Sequence, residues 1–71
     1  MGRLASVHAR EMIEILLRQG FMITHQKGSH VKLRRGATVV VIPMHNPLKI
    51  GTLRNILRQV GMTPEELIDL L

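Results

Sequence analysis

The sequence predicts a small α+β domain with the order α-β-β-β-α: a three-stranded antiparallel sheet, helices packed on one face, and a short C-terminal helix. Three observations predict it. Apolar residues at helical spacing occur near both ends of the chain, three short alternating or β-branched runs lie between them, and glycines separate the runs. Connections this short favour a meander. The 71 residues are expected to form one domain over 1–71.

The ends of the helices are marked by capping residues. The first helix is predicted to open at Ser6, whose hydroxyl can accept from free backbone N–H groups, and to close at Gly20. The second begins near Gly51 and ends at Gly61. The third follows Thr63 as N-cap, with a proline and a glutamate at favourable positions after it. The predicted buried stripes are Ala9, Met12, Ile13, Leu16 and Leu17; Leu53, Ile56, Leu57 and Val60; and Leu67, Leu70 and Leu71.

The middle of the chain alternates as strands do. Strands are predicted over residues 21–26, 29–35 and 38–42. In the second, Val31 and Leu33 alternate with His30, Lys32 and Arg34. Because both helices can bury their stripes on one face of the sheet, the polar set is predicted to lie on an open face.

The third strand is predicted from the β-branched run that precedes Pro43. Its successive valines, residues 39–41, suggest a strand at the sheet centre or one covered on both faces.

Charge is distributed unevenly along the chain. The chain has ten lysines and arginines and five acidic residues, for a net charge of +5. Three of the acidic residues (Glu65, Glu66 and Asp69) lie in the last seven residues. Residues 1–60 therefore hold ten basic and two acidic side chains. Such a basic body favours a polyanionic partner, most simply nucleic acid, although solubility alone would also account for it.

Several classes of function are disfavoured by what the chain lacks. Cysteine is absent, which excludes disulfides, thiolate metal sites and cysteine nucleophiles. No apolar run approaches the roughly 20 residues of a membrane span, no secretory signal is recognisable, and a cytoplasmic location is expected. Neither a metal-ligand pattern nor a phosphate-binding glycine loop is present, so no cofactor is expected. The single aromatic residue, Phe21, is predicted to be buried, which leaves no stacking platform for bases.

The four histidines are the side chains suited to proton transfer near neutral pH. His8 is expected in the first turn of a helix and exposed, and His25 falls on a strand, where its ring could simply pack. His45, in a proline-rich loop, could touch a phosphate or merely cap the loop. His30 follows a turn glycine and shares its face with two cations, which would suit a phosphodiester beside an imidazole; the alternative is an ordinary cross-strand surface residue.

Four ordered elements of the sequence match the pattern of a known family. They are Gly20-Phe21; Gln26-Lys27-Gly28-Ser29-His30; Val41-Ile42-Pro43 with His45; and Lys49-x-Gly51-Thr52-Leu53-Arg54-x-Ile56-Leu57. Together they closely resemble the HicA mRNA interferase toxins over nearly the whole chain. The resemblance implies a fold like the double-stranded-RNA-binding domain, ribosome-independent cleavage of mRNA, and neutralisation by a HicB-type antitoxin protein.

The resemblance also implies a site. The family's catalytic histidine corresponds to His30, and no metal is required because RNA supplies its own 2′-OH nucleophile. The residues expected to bind RNA or phosphate are Lys27, Gly28, Ser29, Lys32, Arg34, His45, Lys49 and Arg54. His45 or a lysine is the candidate for a second proton carrier. The turn between the second and third strands, residues 34–37, is shorter than is usual for the family.

Two other functions remain compatible with the residues. A non-catalytic module could bind A-form RNA by shape, although the Lys-Lys-x-Ala-Lys cluster of such domains is replaced here by residues 49–54. A protein-interaction domain could instead place its basic face against an acidic partner. An RNA-binding module would shift RNA in a native gel without cleaving it, whereas a protein-interaction domain would not bind RNA.

Overall fold

The computed structural model describes residues 2–71 and confirms the predicted α+β fold. Its elements are a 3-10 turn (Gly2–Ser6), α1 (Ala9–Arg18), β1 (Met22–Lys27), β2 (His30–Arg35), β3 (Thr38–Pro43), α2 (Ile50–Val60) and α3 (Pro64–Leu70). The sheet has the order β1-β2-β3, and both pairs of neighbours are antiparallel. This is the meander, with the double-stranded-RNA-binding-domain order of elements, that short connections favour.

The core lies between one face of the sheet and the helices. On β2, the central strand, Val31 and Leu33 are buried while their neighbours are exposed. α1 contacts β1 and β3, and α2 packs on β3, where Val40 and Ile42 are buried. Because all the packed side chains of the sheet lie on this face, the opposite face is open to solvent, and we call it the open face.

α1 begins later than Ser6, so the predicted cap is wrong. Ser6 instead closes the 3-10 turn, where its hydroxyl donates to the Arg3 carbonyl at 3.1 Å. The next residue, Val7, is fully buried, and its carbonyl accepts from the Leu48 N–H at 2.8 Å. This long-range bond keeps the chain extended through His8, the actual N-cap position.

The ends of α2 and α3 agree with the sequence. Gly61 adopts a left-handed conformation (φ 75°) immediately after α2, which glycine does without a steric penalty. Thr63 and Glu66 form a reciprocal capping box: the Glu66 N–H donates to the threonine hydroxyl at 3.1 Å, and the Thr63 N–H donates to the glutamate at 2.8 Å.

Two predictions about burial are wrong. Leu17 is 44% exposed, and Ile15 is buried in its place beside Leu70 and Leu71, because the C-terminal helix extends the core toward that side of α1. β3 is an edge strand covered on one face only, so that Val39 and Val41 are 42% and 45% exposed. Of the helices in residues 2–71, none is long and apolar enough to cross a membrane.

Candidate nucleic-acid interface

The strand register determines which side chains share the open face. Between β1 and β2, Lys27 is opposite His30 and His25 is opposite Lys32. Between β2 and β3, the opposite pairs are His30 with Pro43, Lys32 with Val41 and Arg34 with Val39. Residues directly opposite in an antiparallel pair point to the same side of the sheet. The open face therefore carries the three polar residues of β2, as predicted, together with Lys27 and His25 from β1.

His30 lies at the end of β2 that follows the β1–β2 turn. Gly28, with φ 58°, and Ser29 form this turn, which brings Lys27 directly opposite His30. On the other side, the Met44 N–H donates to the Ser29 carbonyl at 2.7 Å, which extends the pairing of β2 with β3 past His30. The backbone of His30 is thus held from both sides while the residue itself is exposed.

A β-bulge at Thr24 interrupts the pairing of β1 with β2. Ile23 is opposite Leu33, but the next paired residue is His25, opposite Lys32, so Thr24 is the extra residue. His25 consequently lies exposed on the open face, and its ring does not pack in the core as the sequence allowed.

A shallow depression lies on the open face beside the bulge. Its lining residues are Thr24, His25, Lys32, Arg34 and Val39. The Arg34 Nε donates to the Gly36 carbonyl at 2.8 Å, which orients the guanidinium at this end of the sheet. His30 and Arg34 are four residues apart on one strand, roughly 13 Å at about 3.3 Å per residue, so the cationic surface is long enough for more than one phosphate.

The open face is cationic, and the acids lie elsewhere. The basic residues of β1 and β2 on this face are Lys27, Lys32 and Arg34, whereas all five acidic residues of the chain are on α1 and α3 in the helical layer. Clefts and faces of one sign concentrate ligands of the opposite sign, so this face suits a polyanion.

The other basic residues predicted to bind RNA are dispersed. His45 is exposed just beyond β3, near the same end of the sheet as His30, and its backbone N–H donates to the Pro43 carbonyl at 2.8 Å. Lys49 is exposed at the N-cap of α2. Arg54 lies on the solvent side of α2, since Leu53, Ile56 and Leu57 form its buried stripe. The hydrophobic core therefore separates Arg54 from the open face.

Arg35, adjacent to Arg34 in the sequence, has structural contacts. Its guanidinium carbon lies 4.5 Å from the centre of the buried Phe21 ring, and its Nη1 donates to the Gln19 carbonyl at 2.8 Å. A cation over an aromatic face is a stabilising contact. Arg35 thus closes the end of the core after α1.

A metal site built on the histidines would need several ligating side chains close together. Among residues 2–71, no three histidine, aspartate or glutamate side chains are close enough together to hold a metal ion.

Comparison with known proteins identifies the family. A family model described as "HicA toxin of bacterial toxin-antitoxin" matches residues 9–62. The matched segment runs from the first residue of α1 past the end of α2, and so includes the whole sheet and its open face. No curated protein matches the chain.

Proposed function

Because the chain belongs to the HicA toxin family of bacterial toxin–antitoxin systems, we propose that it is an endoribonuclease that cleaves mRNA in the cytoplasm without a metal ion. His30 is its catalytic residue. Lys27, Gly28, Ser29, Lys32 and Arg34 bind the RNA backbone on the open face, and His45 and Lys49 contact it at the adjacent end of the sheet.

The observation that carries this proposal is the environment of His30. The imidazole is exposed, Lys27 is directly opposite it on β1, and Lys32 is the next residue of β2 on the same face. An imidazole can accept or release a proton near neutral pH. Two lysines beside it can hold a phosphodiester and stabilise the negative charge that grows on its oxygens during cleavage.

The proposed reaction is transphosphorylation. The 2′-oxygen of the RNA attacks the adjacent phosphorus, the bond from phosphorus to the 5′-oxygen breaks, and the products are a 2′,3′-cyclic phosphate and a 5′-hydroxyl. His30 transfers one of the two protons that move in this step. General acid–base catalysis of this kind contributes typically about 10²–10⁴-fold to the rate.

Incubation with RNA tests the proposal. The purified chain and its His30→Ala variant are incubated with a long single-stranded RNA in the presence of EDTA and analysed on a denaturing gel. We expect fragments with the wild type and intact RNA with the variant, while circular dichroism shows that both are folded. Equal cleavage by the two proteins would refute the role of His30. Intact RNA in both lanes, with a shift in a native gel, would indicate a non-catalytic binding module.

As a toxin of this type, the chain has a cognate antitoxin, and we propose that a HicB-type protein covers the open face. Val39 and Val41 are nearly half exposed beside the cations, and such a mixture of apolar and charged groups suits a protein partner as well as RNA. An antitoxin bound there would block access to His30. Added antitoxin should therefore stop cleavage of RNA by the wild type, and a variant with Val39→Ala and Val41→Ala, which keeps every cation of the face, should need more antitoxin for the same inhibition; an unchanged requirement would contradict this location.

A further inference from the structure

We propose that His25 is the second proton-transfer group of the cleavage site and acts together with His30. The proposal rests on the function proposed above, since it concerns the same reaction. It replaces His45 and the lysines, which the sequence suggested for this role, with a residue that the strand register brings to the open face.

The two histidines are diagonal neighbours on adjacent strands. His30 is opposite Lys27, and His25 is opposite Lys32, so they are displaced by two residues along the same face. Diagonal neighbours of this kind are about 7–8 Å apart between backbone positions, within reach of aromatic and long side chains. Both residues are exposed, and their rings can therefore lie on either side of one phosphate.

The bulge at Thr24 is what puts His25 there. Ile23 is opposite the buried Leu33, and regular alternation from that pair would place Thr24 on the open face and His25 on the core side. The extra residue reverses the alternation, so that His25 joins Lys32 instead. Bulges often re-aim a side chain next to an active site.

The surroundings of His25 suit a phosphate rather than a structural role. The depression that His25 lines is also lined by Lys32 and Arg34, by the hydroxyl-bearing Thr24 and by the apolar Val39. The charged or titratable residues that share the open face with His25 are Lys27, His30, Lys32 and Arg34, and the five acids lie on the helices of the opposite layer. An anion placed between the two histidines therefore meets positive charge from both strands.

The chemistry requires two proton transfers, and two imidazoles can supply both. One histidine, in its neutral form, accepts the proton of the 2′-hydroxyl as the bond from the 2′-oxygen to phosphorus forms. The other, in its protonated form, donates a proton to the 5′-oxygen as its bond to phosphorus breaks. The reaction consumes no water and needs no other reactant, and the pair ends with the roles exchanged. A lysine ammonium could donate but would be a poor acceptor near neutral pH.

His45 is less suited to this role. It lies on the loop after β3, where its backbone N–H is bonded to the Pro43 carbonyl two residues back, and the residue is therefore not part of the ladder that aligns the two histidines of the open face. It contacts RNA beside the site and does not share the row of paired residues with His30.

The test compares two leaving groups. Single-turnover cleavage is measured for the wild type, His25→Ala, His30→Ala and His45→Ala on an ordinary RNA dinucleotide and on the same substrate with sulfur in place of the 5′-bridging oxygen. Thiolate leaves without a proton, so loss of the general acid should be tolerated with this substrate. His8→Ala, which removes an exposed histidine at the N-cap of α1 in the helical layer, is the matched control.

We expect His25→Ala to slow cleavage of ordinary RNA by about 10²–10⁴-fold, with little change in its affinity for uncleavable RNA and no change in the His8→Ala control. The sulfur substrate should restore the rate of one of the two variants, His25→Ala or His30→Ala, and not that of the other.

Other outcomes separate the two proposals. Cleavage by His25→Ala at the wild-type rate, with His30→Ala inactive, would overturn the role of His25 and leave the proposed function standing. The same conclusion would follow if His45→Ala, and not His25→Ala, showed the loss and the response to sulfur. A wild type that does not cleave RNA at all would overturn both proposals.

Discussion

Replacing Lys32 by alanine should change how RNA binding depends on salt. Lys32 is exposed in the middle of the open face, between His25 on one neighbouring strand and Val41 on the other. A lysine that contacts a phosphate displaces a condensed counterion, and each such contact adds to the slope of log K against log salt concentration. The slope therefore counts all the cations of the chain that contact the RNA backbone.

The proposed contacts supply the expected number. Four cationic side chains are proposed to contact the RNA backbone, Lys27, Lys32 and Arg34 on the open face and Lys49 at the adjacent end of the sheet, and single strands release about 0.7 counterions per phosphate contact, which gives a slope of about −2.8. Affinity should then fall roughly 50-fold between about 50 and 200 mM salt. Removing one contact in Lys32→Ala leaves a slope of about −2.1 and a fall of roughly 20-fold over the same range.

Fluorescence anisotropy with a 2′-O-methyl RNA oligonucleotide measures this slope, because that ligand lacks the nucleophile and cannot be cleaved. Arg18→Ala is the control, since Arg18 is an exposed cation of α1 in the opposite layer. An unchanged slope in Lys32→Ala, or an equal decrease in Arg18→Ala, would refute the assignment of RNA binding to the open face.

Two further predictions concern stability and are checked by urea denaturation. Leu33→Ala should lower the free energy of unfolding by about 2–5 kcal/mol, because Leu33 is fully buried on the central strand. Leu17→Ala, at a half-exposed site, should lower it by less than about 1 kcal/mol. Similar losses in the two variants would contradict the observed burial. The His8 N–H and the Arg3 guanidinium hold the pKa of the Glu11 carboxyl below its usual value. Glu11→Gln should therefore lower stability at neutral pH, by no more than about 1 kcal/mol for so exposed a pair. That difference should vanish as the pH falls through the lowered pKa, and a difference constant with pH would contradict the electrostatic cause.

The features that the sequence predicts correctly are those decided by local interactions. The capping box of Thr63 and Glu66 and the left-handed Gly61 each depend on residues within one turn of the chain. The start of α1 depends instead on the bond from the Leu48 N–H to the Val7 carbonyl, which joins segments far apart in the sequence. A capping rule considers only neighbouring residues, so applied to Ser6 it could not take this long-range contact into account.

The valines of β3 show a second structural feature that the pattern of residue types does not predict. A run of β-branched residues indicates a strand, but its propensity reflects a fit to a pleated surface and does not distinguish an edge strand from a central one. Which strand is central follows from the order of pairing, and here the meander places β2 in the middle and β3 at the edge. Val39 and Val41 are then left half exposed among the cations, on the surface proposed for the antitoxin.

The same reasoning explains why half of the site could be predicted and half could not. On β2, burial of Val31 and Leu33 forces the alternating residues outward, and a slip of one residue would place His30 in the core; the register is therefore strongly specified. Every residue of β1 is exposed, so burial does not specify its register. The alignment of β1 comes instead from the tight turn at Gly28, which the sequence indicated, and from the bulge at Thr24, which becomes visible only when the strands are paired. The partner proposed for His30 lies on this weakly specified strand, where alternation alone would have left it facing the core.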